Sequence, residues 1–182
     1  MKLLNAVAVL TAAIAPVWAQ RTASEIAADK VGALNMHNVA RQTVTGSRGS
    51  RANLTYSSVL DSSAANYAVE LARLDNGLVH ASNRNGQGEN LYYTSNSDLK
   101  TPFQAASKAW LDEKPFYDCR NINGADPNFG KFGHYTQAIW RTTTEFGIGV
   151  AKGNRTGRLY VVARYLQQGN IFSCFSVGQS AC

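Results

Sequence analysis

The order of the periodic segments along the chain is the strongest constraint on what it can fold into. Three stretches with apolar residues at helical spacing come first, at residues 24–42, 56–75 and 101–115. Two strand-like stretches follow them, at residues 145–151 and 158–166. Helices that precede a single hairpin predict a mixed α/β fold in which helices pack on a small sheet.

Length and composition point to one domain. The chain has 182 residues, of which 45% are hydrophobic and 16% are charged. At roughly 100–200 residues per domain, this length predicts a single domain with a sizeable core. The composition excludes general disorder, a coiled coil and a polytopic membrane protein. The net charge is +6, but the basic residues are scattered, so we expect a mildly basic surface and no nucleic-acid partner.

The first nineteen residues have the pattern of a secretory signal peptide. Lys2 is followed by an apolar run up to Ala15, and the small residue Ala19 precedes the expected cleavage site. The run is too short to span ~30 Å of hydrocarbon, and no later segment is apolar enough to do so. We therefore predict a signal peptide at residues 1–19, one domain at residues 20–182 and an extracellular protein.

In a secreted protein, the three cysteines are candidates for a disulfide and the two Asn-X-Thr sequences are candidates for glycosylation. An oxidising compartment favours one disulfide and leaves one thiol over. The spacing does not fix the pairing, although a Cys119–Cys174 bond closes a longer loop than Cys174–Cys182 and would stabilise more. Asn53 and Asn154 are the predicted glycosylation sites.

The histidines are the clearest candidates for chemistry. His80 is followed by Glu89 in a glycine-rich segment. His134 opens a glycine-flanked segment, and Glu113 lies at the end of the third helix. Two imidazoles and two carboxylates in one cleft would suit a divalent metal such as zinc, or acid–base chemistry. Spacing alone leaves open whether they meet. His37 lies within the first helix, where we expect it to hydrogen-bond inside the core.

Two segments resemble the signature motifs of a known protein family. Residues 133–143 read GHYTQAIWRTT and closely resemble the first signature of the CAP superfamily. That superfamily groups cysteine-rich secretory proteins, insect antigen 5 and plant pathogenesis-related protein class 1. Residues 160–171 read YVVARYLQQGNI and keep the Tyr…Gly-Asn frame of the second signature. Ala163 stands where many members have cysteine and Gln167 where many have proline, a departure from the usual disulfide at this strand.

Four upstream segments resemble further motifs of the family, in the same order. They are His37-Asn38-x-x-Arg41, Leu54–Ser57 followed by Leu60 and Ala64, His80-Ala81-Ser82 followed by Gly88–Leu91, and Ala109-Trp110-x-x-Glu113. The resemblance spans about residues 26–171. It implies an SCP-like domain of the fungal type, folded as a three-layer α-β-α sandwich around a small, mainly antiparallel sheet.

The resemblance also implies a cleft lined by His80, Glu89, Glu113 and His134. In some relatives this tetrad holds a divalent metal. In this chain we expect a polar network that organises the loops, with a divalent metal (zinc) as an optional ligand and no cofactor required.

The resemblance further implies a non-enzymatic binder of sterols or other small lipids, because relatives in fungi and plants are associated with sterol or fatty-acid binding. An aromatic loop before His134 is the candidate lipid contact, although its rings suit ordinary packing equally well: Phe116, Tyr117, Phe129 and Phe132. A metal-dependent or serine-type hydrolase is one alternative, but the sequence has neither a Gly-x-Ser-x-Gly nor a His-Glu-x-x-His pattern. A secreted protein-interaction module with a protein receptor, in defence or as an effector, is another.

Overall fold

The structure, a computed structural model, describes residues 21–44, 49–119 and 126–171. Within them the elements are, in chain order, α1 (Ala23–Gln42), β1 (Thr55–Tyr56), α2 (Ser58–Leu74), β2 (Gly88–Thr94), α3 (Pro102–Leu111), α4 (Gly133–Ala138), β3 (Glu145–Lys152) and β4 (Leu159–Leu166). Short 3₁₀ turns lie at Lys114–Phe116 and Phe129–Lys131. The predicted signal peptide lies outside the described residues.

The four strands form one sheet in the order β1-β3-β4-β2. β4 pairs antiparallel with β3 on one side and β2 on the other, whereas the two-residue β1 runs parallel to β3. This confirms the predicted small, mainly antiparallel sheet. β2 is an edge strand of seven residues.

Side chains of β4 point alternately into two cores. Val161, Ala163 and Tyr165 pack with residues of α1 and α3 on one face of the sheet. Tyr160 and Val162 pack with α2 on the other face. All β4 residues except the last are buried, as expected for a strand that is covered on both sides. The predicted three-layer α-β-α sandwich is therefore confirmed.

Two glycines of β3 let α2 lie directly on the sheet. A Cβ atom added to Gly147 would overlap with the backbone nitrogen of Asp61. A Cβ atom added to Gly149 would overlap in the same way with the backbone of Ala65. Because backbone cannot swing aside as a side chain can, a larger residue at either position would push the helix off the sheet.

The N-terminus of α3 is capped by a residue of another helix. Thr101 occupies the capping position, but its side chain makes no capping hydrogen bond. Asp29 of α1 accepts instead, from the backbone N–H groups of Phe103 at 3.2 Å and Gln104 at 3.1 Å. This buried carboxylate joins the two helices that cover one face of the sheet.

Asp75 ties the end of α2 to the β3–β4 hairpin. It ends the helix in the left-handed conformation, with φ 47°. Its buried carboxylate accepts hydrogen bonds from the backbone N–H groups of Arg155 and Thr156, at 2.9 and 2.7 Å. It also accepts from the hydroxyls of Thr156, at 2.5 Å, and Tyr160, at 2.8 Å. These bonds, led by the Thr156 hydroxyl, lower the pKa of Asp75 to about 2.

We predict that Asp75→Asn destabilises the protein at neutral pH and that this difference disappears in acid. Because the folded pKa is depressed, the carboxylate's contribution is complete above pH ~4 and is lost as the pH falls toward about 2. Thermal unfolding of the two proteins over this range measures the convergence. The exposed Asp98→Asn variant is the control and should track the wild type. A constant gap between wild type and Asp75→Asn at every pH would contradict the prediction.

Candidate ligand-binding cleft

A cleft of about 710 Å³ lies at the β2 edge of the sheet, between β2, α4 and the segment that follows β4. Its wall combines polar groups, among them His80 and His134, with the apolar side chains of Phe129 and Ile171. The volume falls within the ~300–1,000 Å³ that is usual for small-molecule sites.

The edge strand β2 directs two consecutive side chains to opposite faces of the sheet. Glu89 lies opposite Arg164 of β4, on the face covered by α2, and contacts His80. Asn90 points to the other face and donates a hydrogen bond to the carbonyl of His134 at 3.0 Å. Two histidines that are far apart in the sequence therefore meet at one cleft.

His80 is held by a carboxylate whose charge is already matched. The Nδ1 atom of His80 lies 2.6 Å from Oε1 of Glu89, which also accepts the backbone N–H of Ala81 at 3.0 Å. The Glu89 side chain is fully buried, and its Oε2 lies 2.8 Å from Nη2 of Arg164. This contact is an ion pair without the alignment of a hydrogen bond. The Arg164 guanidinium lies over the ring of Tyr67, 5.1 Å from its centroid.

His134 is held by Glu113, just after the end of α3. Oε1 of Glu113 lies 2.6 Å from Nδ1 of His134. Oε2 accepts the backbone N–H groups of His134 at 3.0 Å and Tyr135 at 3.1 Å. One carboxylate thus positions both the imidazole and the first turn of the six-residue helix α4.

The four predicted site residues form two His–Glu pairs. His80, Glu89 and His134 line the cleft, and Glu113 contacts His134 without lining it. This differs from four side chains that all face one ion, because both carboxylates are occupied by hydrogen bonds and, at Glu89, by an ion pair. Among the described residues, no three His, Cys, Asp or Glu side chains are grouped to hold a metal ion.

The donor chemistry of the pairs nevertheless fits a metal held by imidazoles. A carboxylate occupies each Nδ1, so Nε2 is the ring nitrogen left for a ligand. Zinc-binding histidines commonly receive this support from a carboxylate. Each imidazole therefore has one nitrogen of the right chemistry for a divalent ion, and metal binding at His80 and His134 stays a prediction.

The four aromatic residues predicted as a lipid contact have different roles. Tyr117 and Phe132 are buried in a core cluster beside α4 and pack there as ordinary core residues. Phe129 lines the cleft, with its ring edge-on to Phe132 at 5.7 Å between centroids. Phe116 is 58% exposed and does not line the cleft. Of the four, Phe129 is the one placed to contact a ligand there.

His37 belongs to a buried hydrogen-bond chain that ends at the backbone of His134. Its Nδ1 donates to the Ala33 carbonyl at 2.8 Å, so its Nε2 accepts from the Tyr165 hydroxyl at 2.9 Å. The Tyr165 oxygen accepts from Nδ2 of Asn90 at 3.1 Å, and the same amide donates to His134. Burial lowers the pKa of His37 to about 4. The predicted role of His37 inside the core is confirmed.

Arg41 has a structural role that the sequence did not indicate. Its fully buried guanidinium donates to four backbone carbonyls, those of Ala52, Ala138, Trp140 and Thr143. Burial lowers the pKa of Arg41 to about 10, which leaves the group charged at neutral pH. The side chain fastens α1 to the chain that follows α4. Its spacing from His37, one helical turn, is the signal that places both on the same buried face.

The predicted covalent modifications are described only in part. Cys119 is disulfide-bonded, but Cys174 lies outside the described residues, so the Cys119–Cys174 pairing stays a prediction. Asn53 and Asn154 are both exposed, as glycosylation requires, and their modification also stays a prediction.

Comparison with known proteins identifies the family of the chain and agrees with its fold. The sequence pattern of CAP, the cysteine-rich secretory protein family, matches residues 34–165. The chain belongs to the CAP family. Pathogenesis-related protein 1B of Nicotiana tabacum is 36% identical over 152 residues, which cover 81% of this chain and 77% of that protein. Protein PRY2 of Saccharomyces cerevisiae is 30% identical over 146 residues, which cover 79% of this chain and 38% of that protein.

Solved structures lead to the same CAP fold. A crystal structure of NaASP2 with Zn²⁺ matches with a TM-score of 0.64 and 25% identity, and the match covers 83% of each chain. In the described part of this CAP protein, no helix has the length and apolar character needed to cross a membrane.

We predict that protonation of His37 destabilises the protein as the pH falls, and that this happens at higher pH than the loss of the Asp75 contribution. The folded pKa of His37 is depressed, so its neutral form contributes fully above pH ~6.5, and this contribution falls as the pH drops to about 4. The full loss is on the order of 3 kcal/mol. Urea unfolding between these pH values should show a steeper loss for wild type than for His37→Gln. A His80→Gln/His134→Gln double variant controls for titration of the two cleft histidines. An equal slope for wild type and His37→Gln would contradict the assignment.

Proposed function

We propose that this CAP protein is a secreted, non-enzymatic binder of a small lipid, which it holds in the cleft at the β2 edge. The observation that carries the proposal is the mixed lining of the cleft. Phe129 and Ile171 offer apolar contact, and the imidazoles of His80 and His134 offer polar contact, within about 710 Å³. An amphipathic ligand such as a sterol or a fatty acid needs this combination.

The contacts of the two histidines favour binding over hydrolysis. Each Nδ1 is fixed by a carboxylate, as in many catalytic sites. Within the described residues, however, neither imidazole is hydrogen-bonded to a serine, threonine or cysteine side chain. A nucleophile activated by a histidine has to lie within hydrogen-bond reach of it. The carboxylates, moreover, are engaged by backbone N–H groups, and this supports a role in holding the cleft's shape.

We predict that Phe129→Ala weakens lipid binding about tenfold, because a ring in the cleft wall supplies apolar contact area. Phe116→Ala removes an equally large ring outside the cleft and should leave binding unchanged. Tritiated cholesterol and palmitate serve as probes for the purified protein. Ile171→Ser is a second cleft variant, in case loss of the Phe129–Phe132 contact lowers stability.

The outcomes separate the alternatives. Wild-type protein that binds neither cholesterol nor palmitate would contradict lipid binding as the function. If both cleft variants still bind lipid but Phe116→Ala does not, the lipid-binding site lies at the exposed turn that contains Phe116 and not in the cleft.

We also propose that a divalent ion binds between His80 and His134. The two carboxylate-supported imidazoles favour it, and the related protein NaASP2 has been crystallised with Zn²⁺. A bound ion would supply a positive centre that attracts an oxygen atom of a ligand.

We predict that His134→Gln abolishes zinc binding, whereas Glu113→Gln weakens it about 10–100-fold, because a supporting carboxylate contributes less than a ligand. Isothermal titration calorimetry of zinc into each variant measures the difference. Phe116→Ala, a substitution outside the cleft, is the control and should bind zinc as the wild type does. An unchanged zinc affinity in His134→Gln would exclude this imidazole as a ligand.

A further inference from the structure

Arg84 contributes a positive charge to the wall of the cleft. This charge is not paired with the carboxylate of either His–Glu pair. It lies in the segment between His80 and β2 and lines the cleft as a half-buried residue. Its carbonyl accepts the backbone N–H of Gln87 at 2.9 Å, so the backbone of Arg84 is held in a turn. Its guanidinium makes no hydrogen bond or ion pair with the residues that the structure describes.

The negative charge in the cleft wall is already matched. Among the lining residues, Glu89 carries the carboxylate, and its side chain is fully buried against Arg164. Burial lowers the pKa of Arg164, the carboxylate of Glu89 opposes this effect, and the charge of Arg84 adds to it. With Glu89 committed to Arg164, the charge of Arg84 has no counterpart in the described part of the cleft wall.

Neutral amides complete the polar lining, and several are used by the fold. Gln137 accepts the backbone N–H of Gly169 at 3.0 Å. Asn170 accepts from Thr136 at 2.8 Å and donates to the Gly133 carbonyl at 2.8 Å. These groups hold the walls of the cleft together and do not neutralise a cation. The unmatched charge that a ligand meets is therefore the guanidinium of Arg84.

We propose that Arg84 makes the cleft selective for ligands with an anionic head group, a carboxylate or a phosphate. This inference rests on the proposed lipid-binding function and narrows it to charged lipids. A planar guanidinium presents paired N–H donors that match two oxygens of such a head group. Phe129 and Ile171 are the apolar surface for the chain attached to that head.

A matched pair of lipids tests the head group alone. Palmitate and hexadecan-1-ol share an apolar chain of the same length, and only palmitate carries a charge. Wild-type protein should bind palmitate at least about tenfold more tightly, the effect expected of a charge-assisted hydrogen bond. Arg84→Gln should remove this preference without weakening hexadecan-1-ol, and Arg84→Lys should retain part of it.

Arg73→Gln is the matched control variant. Arg73 is exposed on α2 and does not line the cleft, so its loss changes the net charge equally without altering the site. It should leave both affinities unchanged. Equal thermal unfolding midpoints would show that the variants of Arg84 and Arg73 fold as the wild type does.

The results distinguish this inference from the proposed function. If wild type binds both lipids equally, or if Arg84→Gln keeps the preference for palmitate, selectivity through Arg84 is wrong and lipid binding stands. If wild type binds neither of them and does not bind cholesterol, lipid binding itself is wrong. Hexadecyl phosphate and inorganic phosphate identify the source of the anion. Competition by inorganic phosphate as strong as that by hexadecyl phosphate would overturn the lipid part of the inference.

Discussion

The buried carboxylate of Glu89 is the contact on which the geometry of the cleft depends. A carboxylate with no exposed side-chain surface is costly unless opposite charge and hydrogen bonds match it. Arg164 supplies the charge at 2.8 Å, and His80 and the Ala81 N–H share the other oxygen. Glu89 and Arg164 are directly opposite in the β2–β4 register. A slip of one residue would move Glu89 to the other face and separate it from both partners.

The second histidine is held by a different part of the fold, so contacts within the protein fix both sides of the cleft. Glu113 fixes His134 from the end of α3, and Asn90 holds its carbonyl from β2. Through Tyr165, that same Asn90 is joined to His37 in the core between α1 and the sheet. A preformed site loses less conformational entropy on binding than a site that has to be ordered. Such a saving would strengthen the proposed binding of a small lipid.

Periodicity predicted the helices and the terminal hairpin because their buried residues are apolar and regularly spaced. Periodicity did not predict which face of α1 is buried. Four residues of this helix are buried, and three of them are polar or charged: Asp29, His37 and Arg41. Each makes at least one hydrogen bond with a group distant in the sequence, such as the α3 N–H groups that bind Asp29. The helix α4 was not predicted for a related reason, because its six residues are organised by the carboxylate of Glu113, just after the end of α3. The motif resemblance, which records such long-range relations, predicted that His80, Glu89, Glu113 and His134 line one cleft, but it did not predict their division into two His–Glu pairs.

The polar groups near the cleft are of two kinds. Some are fully hydrogen-bonded within the protein and maintain the fold, and others have donors or acceptors that remain for a ligand. Arg41 is fully engaged by four carbonyl oxygens, and the carboxylates of Glu89 and Glu113 by backbone N–H groups and imidazoles. In the described part of the chain, hydrogen bonds fix the Nδ1 side of each cleft imidazole, and the guanidinium of Arg84 lacks a carboxylate partner. The chemistry that remains, a cation and two oriented imidazoles beside an aromatic ring, is suited to recognising a ligand.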